Sequence, residues 1–259
     1  HKLICGDSTL PETYQKLLGA EKARLLYCDP PYSVDYVSPS GMKYESEKFG
    51  GTGGKMFNDD KSPTEALVFY KNALIQLYNF STLDATIYWW FANRLAFINQ
   101  QAFRESQWHE SQIVMWLKNN LVYSMGQLFH RVYEPCLVGW KEKGHHYFNP
   151  TYPTFMDVWT LDKIKFADML DVWYQKKDNV MKYIHPTQKP VQLAERALKR
   201  SSEKKDIVLD AFAGSGSTMI ACEQLDRKAR LIELDPKFVD SIVTSGNTHV
   251  IKNSKKILW

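Results

Sequence analysis

The chain has 259 residues, 44% of them hydrophobic and 24% charged, with a formal net charge of +4. That balance suits a globular protein with one sizeable core, excludes a disordered polyelectrolyte, and permits a phosphate-binding surface without demanding one. No run reaches the roughly 18 apolar residues of a membrane span, and Cys5, Cys28, Cys136 and Cys222 lie too far apart for the usual zinc or redox spacings.

Lys2–Cys5 reads as a buried strand ending at Gly6-Asp7-Ser8, followed by a short helix opened near Pro11 and closed by Gly19. The opening HKLICGD has neither a signal-peptide core nor a Met, so the chain is expected to be cut from something longer. Ala23–Cys28 is a continuous apolar run, the pattern of a parallel strand covered on both faces, and it breaks at Asp29-Pro30-Pro31-Tyr32. Residues 33–62, punctuated by Gly41, Gly50, Gly51, Gly53 and Gly54, are predicted to form a long functional loop. Beyond it come a helix from Ser62-Pro63, a strand over Ala85–Phe91, a helix near Arg94–Glu105 and a strand near Ser111–Leu117. From Asn119 to Tyr183 the rhythm changes; Tyr133–Trp140 suggests a strand, but the region as a whole reads as a substrate-facing insertion rather than more sheet. Alternation returns with a helix over Pro190–Arg200, strand Ile207–Asp210, helix Thr218–Leu225, strand Ala229–Glu233 and helix Pro236–Val243. Strands alternating with helices predict a parallel α/β sheet.

Two segments carry chemistry. Asp29-Pro30-Pro31-Tyr32 directly follows a strand, where open α/β sheets place their ligand sites, although two prolines would also serve as a plain strand terminator. Asp210-Ala211-Phe212-Ala213-Gly214-Ser215-Gly216-Ser217-Thr218 joins a strand to a helix through closely spaced glycines that let backbone N–H groups approach a ligand. The phosphate loop of nucleotide-hydrolysing enzymes needs Lys where Ser217 stands, and the dinucleotide fingerprint needs Gly where Met219 stands, so both fail. A strand later, Glu233 stands where a carboxylate would hold ribose hydroxyls.

With these segments the sequence resembles the permuted β class of S-adenosylmethionine-dependent DNA adenine-N6 methyltransferases, which carry a DPPY catalytic loop ahead of an FxGxG-type cofactor loop. Further family-like segments are Leu3–Ser8, Asn58–Asp60, Tyr88–Asn93, Trp116–Lys118, Glu134–Lys141 and His185–Pro190. The resemblance implies a doubly wound, mostly parallel, seven-stranded Rossmann-like sheet with an inserted target-recognition region. Its parts would be a catalytic half over residues 1–118, the insertion over 119–184 and a cofactor-binding half over 185–245, with 246–259 an unassigned tail.

It also implies roles. Asp29 and the Pro30 carbonyl would accept hydrogen bonds from the target amine, drawing its nitrogen toward tetrahedral geometry; Pro31 helps fix the loop and Tyr32 offers a stacking face. The implied S-adenosylmethionine site comprises Asp7, Asp29, His185, Thr187, Gln188, Lys189, Asp210, Phe212, Ala213, Gly214, Ser215, Gly216, Ser217, Thr218, Glu233 and Asp235, with Lys189 near the methionine carboxylate and no metal. Lys118, Arg131, Trp140, Lys141 and Lys143 are the candidates for DNA contact, each also readable as an ordinary surface residue. The implied partner is double-stranded DNA with a flipped adenine, with a homodimer possible, in the cytoplasm of a bacterial or phage-infected cell, at the nucleoid. Phe166–Tyr183 matches nothing in the family pattern. Alternatives are a cytosine-N4 enzyme, against which Asp29 in place of Ser argues, an RNA or protein-amide methyltransferase, and a catalytically idle DNA-binding subunit.

Overall fold

The computed structural model describes residues 1–32, 61–122, 128–147, 149, 170–176 and 189–249. Within them the strands are β1 (Lys2–Cys5), β2 (Ala23–Cys28), β3 (Ser81–Trp90), β4 (Trp108–Val122), β5 (Arg131–Lys141), β6 (Val172–Tyr174), β7 (Ile207–Asp210) and β8 (Lys228–Glu233). The helices are α1 (Pro11–Leu18), α2 (Pro63–Asn79), α3 (Ala96–Glu105), α4 (Val191–Ser201), α5 (Ser217–Gln224) and α6 (Pro236–His249). None of these helices is long and apolar enough to cross a membrane.

All eight strands join one sheet in the order β1-β8-β7-β2-β3-β5-β4-β6. Only β5 runs against the others, pairing antiparallel with both β3 and β4. Because β7 and β8 come last in the chain yet sit between β1 and β2, the first and last thirds of the sequence are woven into one sheet.

Alternation along each strand sends side chains to two separate cores. On one face Leu25, Tyr27, Tyr88 and Trp90 pack under α4, α5 and α6. On the other Leu26, Cys28, Ile87 and Trp89 pack under α1, α2 and α3. Both faces being covered explains why the apolar runs Leu25–Cys28 of β2 and Ile87–Trp90 of β3 show no alternation. Trp89, Trp90, Trp108 and Trp116 are fully buried, and each contributes roughly 3 kcal/mol of hydrophobic stabilisation by analogy with other large side chains.

Local signals place the helices. Ser62 and Glu65 form a reciprocal capping box at the start of α2, with Pro63 in the first turn. Gly19, at φ 60, closes α1 in a conformation costly for a residue with a Cβ.

The structure corrects the expected strand count. The eighth strand, β6, pairs parallel with β4 through Met115↔Val172 and Leu117↔Tyr174. It comes from the tract that matched no pattern, and three residues are too few to show a period. The stretch 119–184 is also not wholly an insertion, since β5 lies inside the sheet between β3 and β4. Further, β4 runs well past the expected Ser111–Leu117, and α6 extends to His249, into the stretch left unassigned.

Candidate active site

Four neighbouring parallel strands finish on a carboxylate. In sheet order these are Asp7 just beyond β1, Glu233 closing β8, Asp210 closing β7, and Asp29 directly after β2. At the ~4.8 Å spacing of paired strands the row spans about 15 Å. It straddles the switch point of the sheet: the chain leaves β7 toward β8 on one side and β2 toward β3 on the other. Ligands of open α/β sheets bind at such a crevice.

The first half of the row is held by neutral donors. Asp210 accepts the Phe212 N–H at 3.0 Å and the Thr218 hydroxyl at 2.5 Å. Burial lifts its carboxyl to about 7 even though both hydrogen bonds oppose the shift. Glu233 accepts the Gly214 N–H at 2.8 Å and the Asp235 N–H at 2.9 Å, and burial raises its pKa too. Asp7 accepts both the N–H and the hydroxyl of Thr9 at 2.8 Å. The loop between β7 and α5 depends on Gly214 at φ 52 and Gly216 at φ 81, a region that β-branched side chains avoid. A Cβ on Gly216 would also sit 3.2 Å from Ile242, so this turn is pressed against α6.

The second half is held by charge. Asp29 Oδ1 lies 2.5 Å from the Lys189 ammonium, which stands just ahead of α4. That ammonium also donates to the Tyr32 hydroxyl at 2.8 Å and lies 3.3 Å from Glu134 on β5. Lys118 on β4 pairs with the other oxygen of Glu134. Burial raises the Asp29 pKa, with Lys189 pulling it back and Glu134 adding to the rise. For Glu134 burial also pushes upward, but the two ammoniums outweigh it and bring the carboxyl down to about 2. Tyr70 of α2 donates to the Pro31 carbonyl at 2.8 Å and so pins the Asp-Pro-Pro-Tyr turn from the opposite face.

Several expected site residues have partners within the protein. Lys189, expected near the methionine carboxylate, is engaged by Asp29, Tyr32 and Glu134. Thr218 is buried against Asp210, Asp235 accepts the Lys237 N–H in the first turn of α6, and the Phe212 ring packs on Phe69 and Trp89. Ala213 is buried, its N–H bonded to the Ile232 carbonyl at 2.9 Å. Ser215 and Ser217 lie half-buried in the turn and at the start of α5. His185, Thr187, Gln188 and nearly all of the loop 33–62 lie outside the described residues.

The DNA-contact candidates are not brought together. Since β5 is antiparallel, Arg131 lies at the Asp29 end of the sheet whereas Trp140, Lys141 and Lys143 lie at the far end. Lys141 is buried there, donating to the Ser81 carbonyl at 2.9 Å, and Trp140 stacks between His109 and His146. Lys118 is buried against Glu134 and presents no ammonium to a phosphate. One site residue that sequence reasoning gave no role is Glu134. Its signal was an acid within a buried strand, on the same face as Cys136 and Val138.

Comparison with known proteins decides the family. The profile of the DNA methylase family matches residues 23–244. The chain belongs to that family. Type II methyltransferase M2.MboI of Moraxella bovis is 25% identical to it over 228 residues, covering 83% of this chain and 77% of that protein. Among solved structures, TTHA0409 of Thermus thermophilus complexed with S-adenosyl-L-methionine superposes with a TM-score of 0.65 at 21% identity, over 100% of this chain and 98% of that one. The cytosine-N4-specific PvuII DNA methyltransferase gives 0.65 at 15% identity, over 93% and 84%. The methylase therefore acts on DNA with S-adenosylmethionine as methyl donor.

The residues present fit that cofactor. It carries a net positive charge, from a sulfonium and an ammonium against one carboxylate. Asp7, Glu233 and Asp210 form an acidic row held by neutral donors, and Glu233 retains lone pairs for a vicinal diol.

Proposed function

We propose that the methylase transfers a methyl group to the N6 amine of an adenine flipped out of duplex DNA. The observation that carries this reading is Asp29: a carboxylate that heads a rigid Pro-Pro turn beside the acidic cofactor row and retains 24% side-chain exposure, so a base can reach it.

S-adenosylmethionine supplies an electrophilic methyl group on its sulfonium. Glu233 would hold its ribose hydroxyls, Asp7 would accept from its adenine amine, and the turn at Gly214 and Gly216 would let backbone approach its methionine portion. The nitrogen lone pair of an adenine amine is delocalised into the ring. Asp29 and the Pro30 carbonyl each accept one hydrogen from it and so favour the tetrahedral nitrogen that attacks. Tyr70 takes up the Pro31 carbonyl rather than that of Pro30, which leaves the turn fixed without occupying the acceptor this step uses. Methylation of the amine releases one proton, which Asp29 would take up, since burial raises its affinity for it. The work of the chain is positioning and electrostatics. A base inside a duplex cannot reach Asp29, so flipping precedes the chemistry at a cost of about a few kcal/mol.

The test is nucleoside mass spectrometry of duplex DNA after incubation with the methylase and S-adenosylmethionine. N6-methyladenine supports the reading; N4-methylcytosine in its place, or methylated RNA with untouched DNA, overturns it.

A further inference from the structure

The charge cluster behind Asp29 extends past the groups that touch the target amine. Asp29, Lys189, Glu134 and Lys118 contribute two carboxylates and two ammoniums, linked in series across β2, the lead-in to α4, β5 and β4. The two lysine side chains are only 4% exposed, so neither is a surface charge that happens to find a partner. Strand register puts the members on one face: Trp116 pairs with Glu134 and Trp90 with Cys136, while Tyr27 precedes Asp29 by two residues. Aromatic rings wall the ammoniums in, with Lys189 5.1 Å from the Trp90 and Tyr32 ring centroids and Lys118 4.7 Å from that of Trp116.

We propose that Glu134 and Lys118 are positioning residues for methyl transfer. Glu134 anchors the Lys189 ammonium against Oδ1 of Asp29 and the Tyr32 hydroxyl, which leaves Oδ2 to be presented to the target amine. Lys118, gripping the other oxygen of Glu134, keeps that anchor charged and stationary. This assignment rests on the reading of Asp29 as the acceptor of the amine. Distances support a chain of command: Lys189 reaches Asp29, Tyr32 and Glu134 at 2.5, 2.8 and 3.3 Å, so a shift of the ammonium changes all three contacts together. Tyr32 also donates to Glu134 at 3.4 Å, so the stacking ring and the acceptor share one support.

The described groups that act electrostatically on Asp29 are Tyr32 from its own turn, Glu134 and Cys136 from β5, Tyr27 on the same face of β2, Asp210 from β7 and Lys189, with Cys28 on the other face of β2. Of these, Lys189 is the cation, and Glu134 is the anion closest to it. Removing the Glu134 charge leaves an excess of positive charge and moves Asp29 titration to lower pH. Removing Lys118 leaves an excess of negative charge and moves it to higher pH.

The experiment compares Glu134→Gln and Lys118→Met with wild type. Melting temperature and calorimetric cofactor affinity check folding. Turnover and the carbon-13 titration of the Asp29 carboxyl are the readouts. Glu134→Gln should lower kcat about 10- to 100-fold, in line with a misplacement of ~1 Å in the reacting groups. Its KM for DNA and its cofactor affinity should stay within about threefold, since Glu134 would act through Lys189 and Asp29 rather than on either ligand. Lys118→Met should have a smaller effect of the same kind. The two variants should displace the Asp29 titration in opposite directions, which a packing role alone would not do. An Asp29 titration unmoved in both, or full kcat in Glu134→Gln, overturns the proposal. If Glu134→Gln does not fold, the titration in Lys118→Met decides alone. Because the titration needs no substrate, it separates failure of this proposal from failure of the adenine assignment.

Discussion

The two ends of the carboxylate row differ in what holds them. Around Asp29 the counter-charges are built in: two buried lysines balance two carboxylates, and the cluster is neutral as it stands. Around Asp210 and Glu233 the partners are backbone amides and a hydroxyl, which orient the carboxylates without cancelling their charge. Among the described residues no cation pairs with Asp210, and burial lifts its carboxyl to about 7. A cationic cofactor can supply that charge. An acceptor for a neutral amine needs a fixed direction rather than a free charge, and the lysine-braced end provides it.

That division can be broken at either end. The largest effect is expected at Asp29. Asp29→Ala should lower methyl transfer by a factor on the order of a thousand or more, because both the amine acceptor and the proton acceptor are lost; single-turnover assays with saturating cofactor measure it, and retained turnover would sink the proposed chemistry. Next comes the opposite end. Gly214→Val places a β-branched residue at φ 52 and should weaken cofactor affinity by roughly 100-fold by calorimetry. Normal binding in that variant would mean that the glycine turn is not part of the cofactor site.

The smallest effects concern pH. The Asp210 carboxyl, at about 7, sits above its unfolded value, so its contribution to stability is present below the unfolded pKa of about 4 and is lost as pH rises through 7. Glu134 has the opposite sign. At about 2 it lies below its unfolded value, so its contribution is present above about pH 4.5 and is lost as pH falls toward 2. Melting curves of Asp210→Asn should therefore show a flatter decline between pH 4 and 7 than wild type, by roughly a few degrees. Cofactor should also restore wild-type stability more at pH 8 than at pH 6, since the ionised row is the one that attracts a cation. An identical pH profile in wild type and Asp210→Asn would argue that burial of Asp210 is relieved in solution.

Much of this was legible in the sequence for local reasons. The apolar run of β2 breaking into Asp-Pro-Pro-Tyr, and the run of β7 breaking into a glycine turn, each report strand, strand end and site within a dozen residues. What was not legible depends on pairing between distant segments. Lys189 and Asp29 meet only because α4 begins over the end of β2, so Lys189 could be read as a ligand of the cofactor as easily as a partner of the acid. Direction mattered as much on β5. Glu134 and Lys141 are seven residues apart, about 23 Å along a strand. The antiparallel orientation places the first in the site and the second under Ser81 at the far end. The sequence offered Lys118, Arg131, Trp140, Lys141 and Lys143 for DNA contact, but sheet topology moves the last three away from Asp29. The short β6 strand escaped for another reason: it owes its place to Trp173 packing on Trp90 and Tyr88 rather than to any periodicity.

Near-isosteric variants at the two ends test the division of labour most directly. Calorimetric titration of S-adenosylmethionine into Asp29→Asn and Glu233→Gln measures which end holds the cofactor. Asp29→Asn should bind within about threefold of wild type if, as proposed, the lysine-braced end serves the target base. Glu233→Gln should bind about tenfold or more weakly, because the charged acceptor proposed for the ribose hydroxyls is gone. Equal losses in both variants, or a loss confined to Asp29→Asn, would contradict the assignment of separate roles along the carboxylate row.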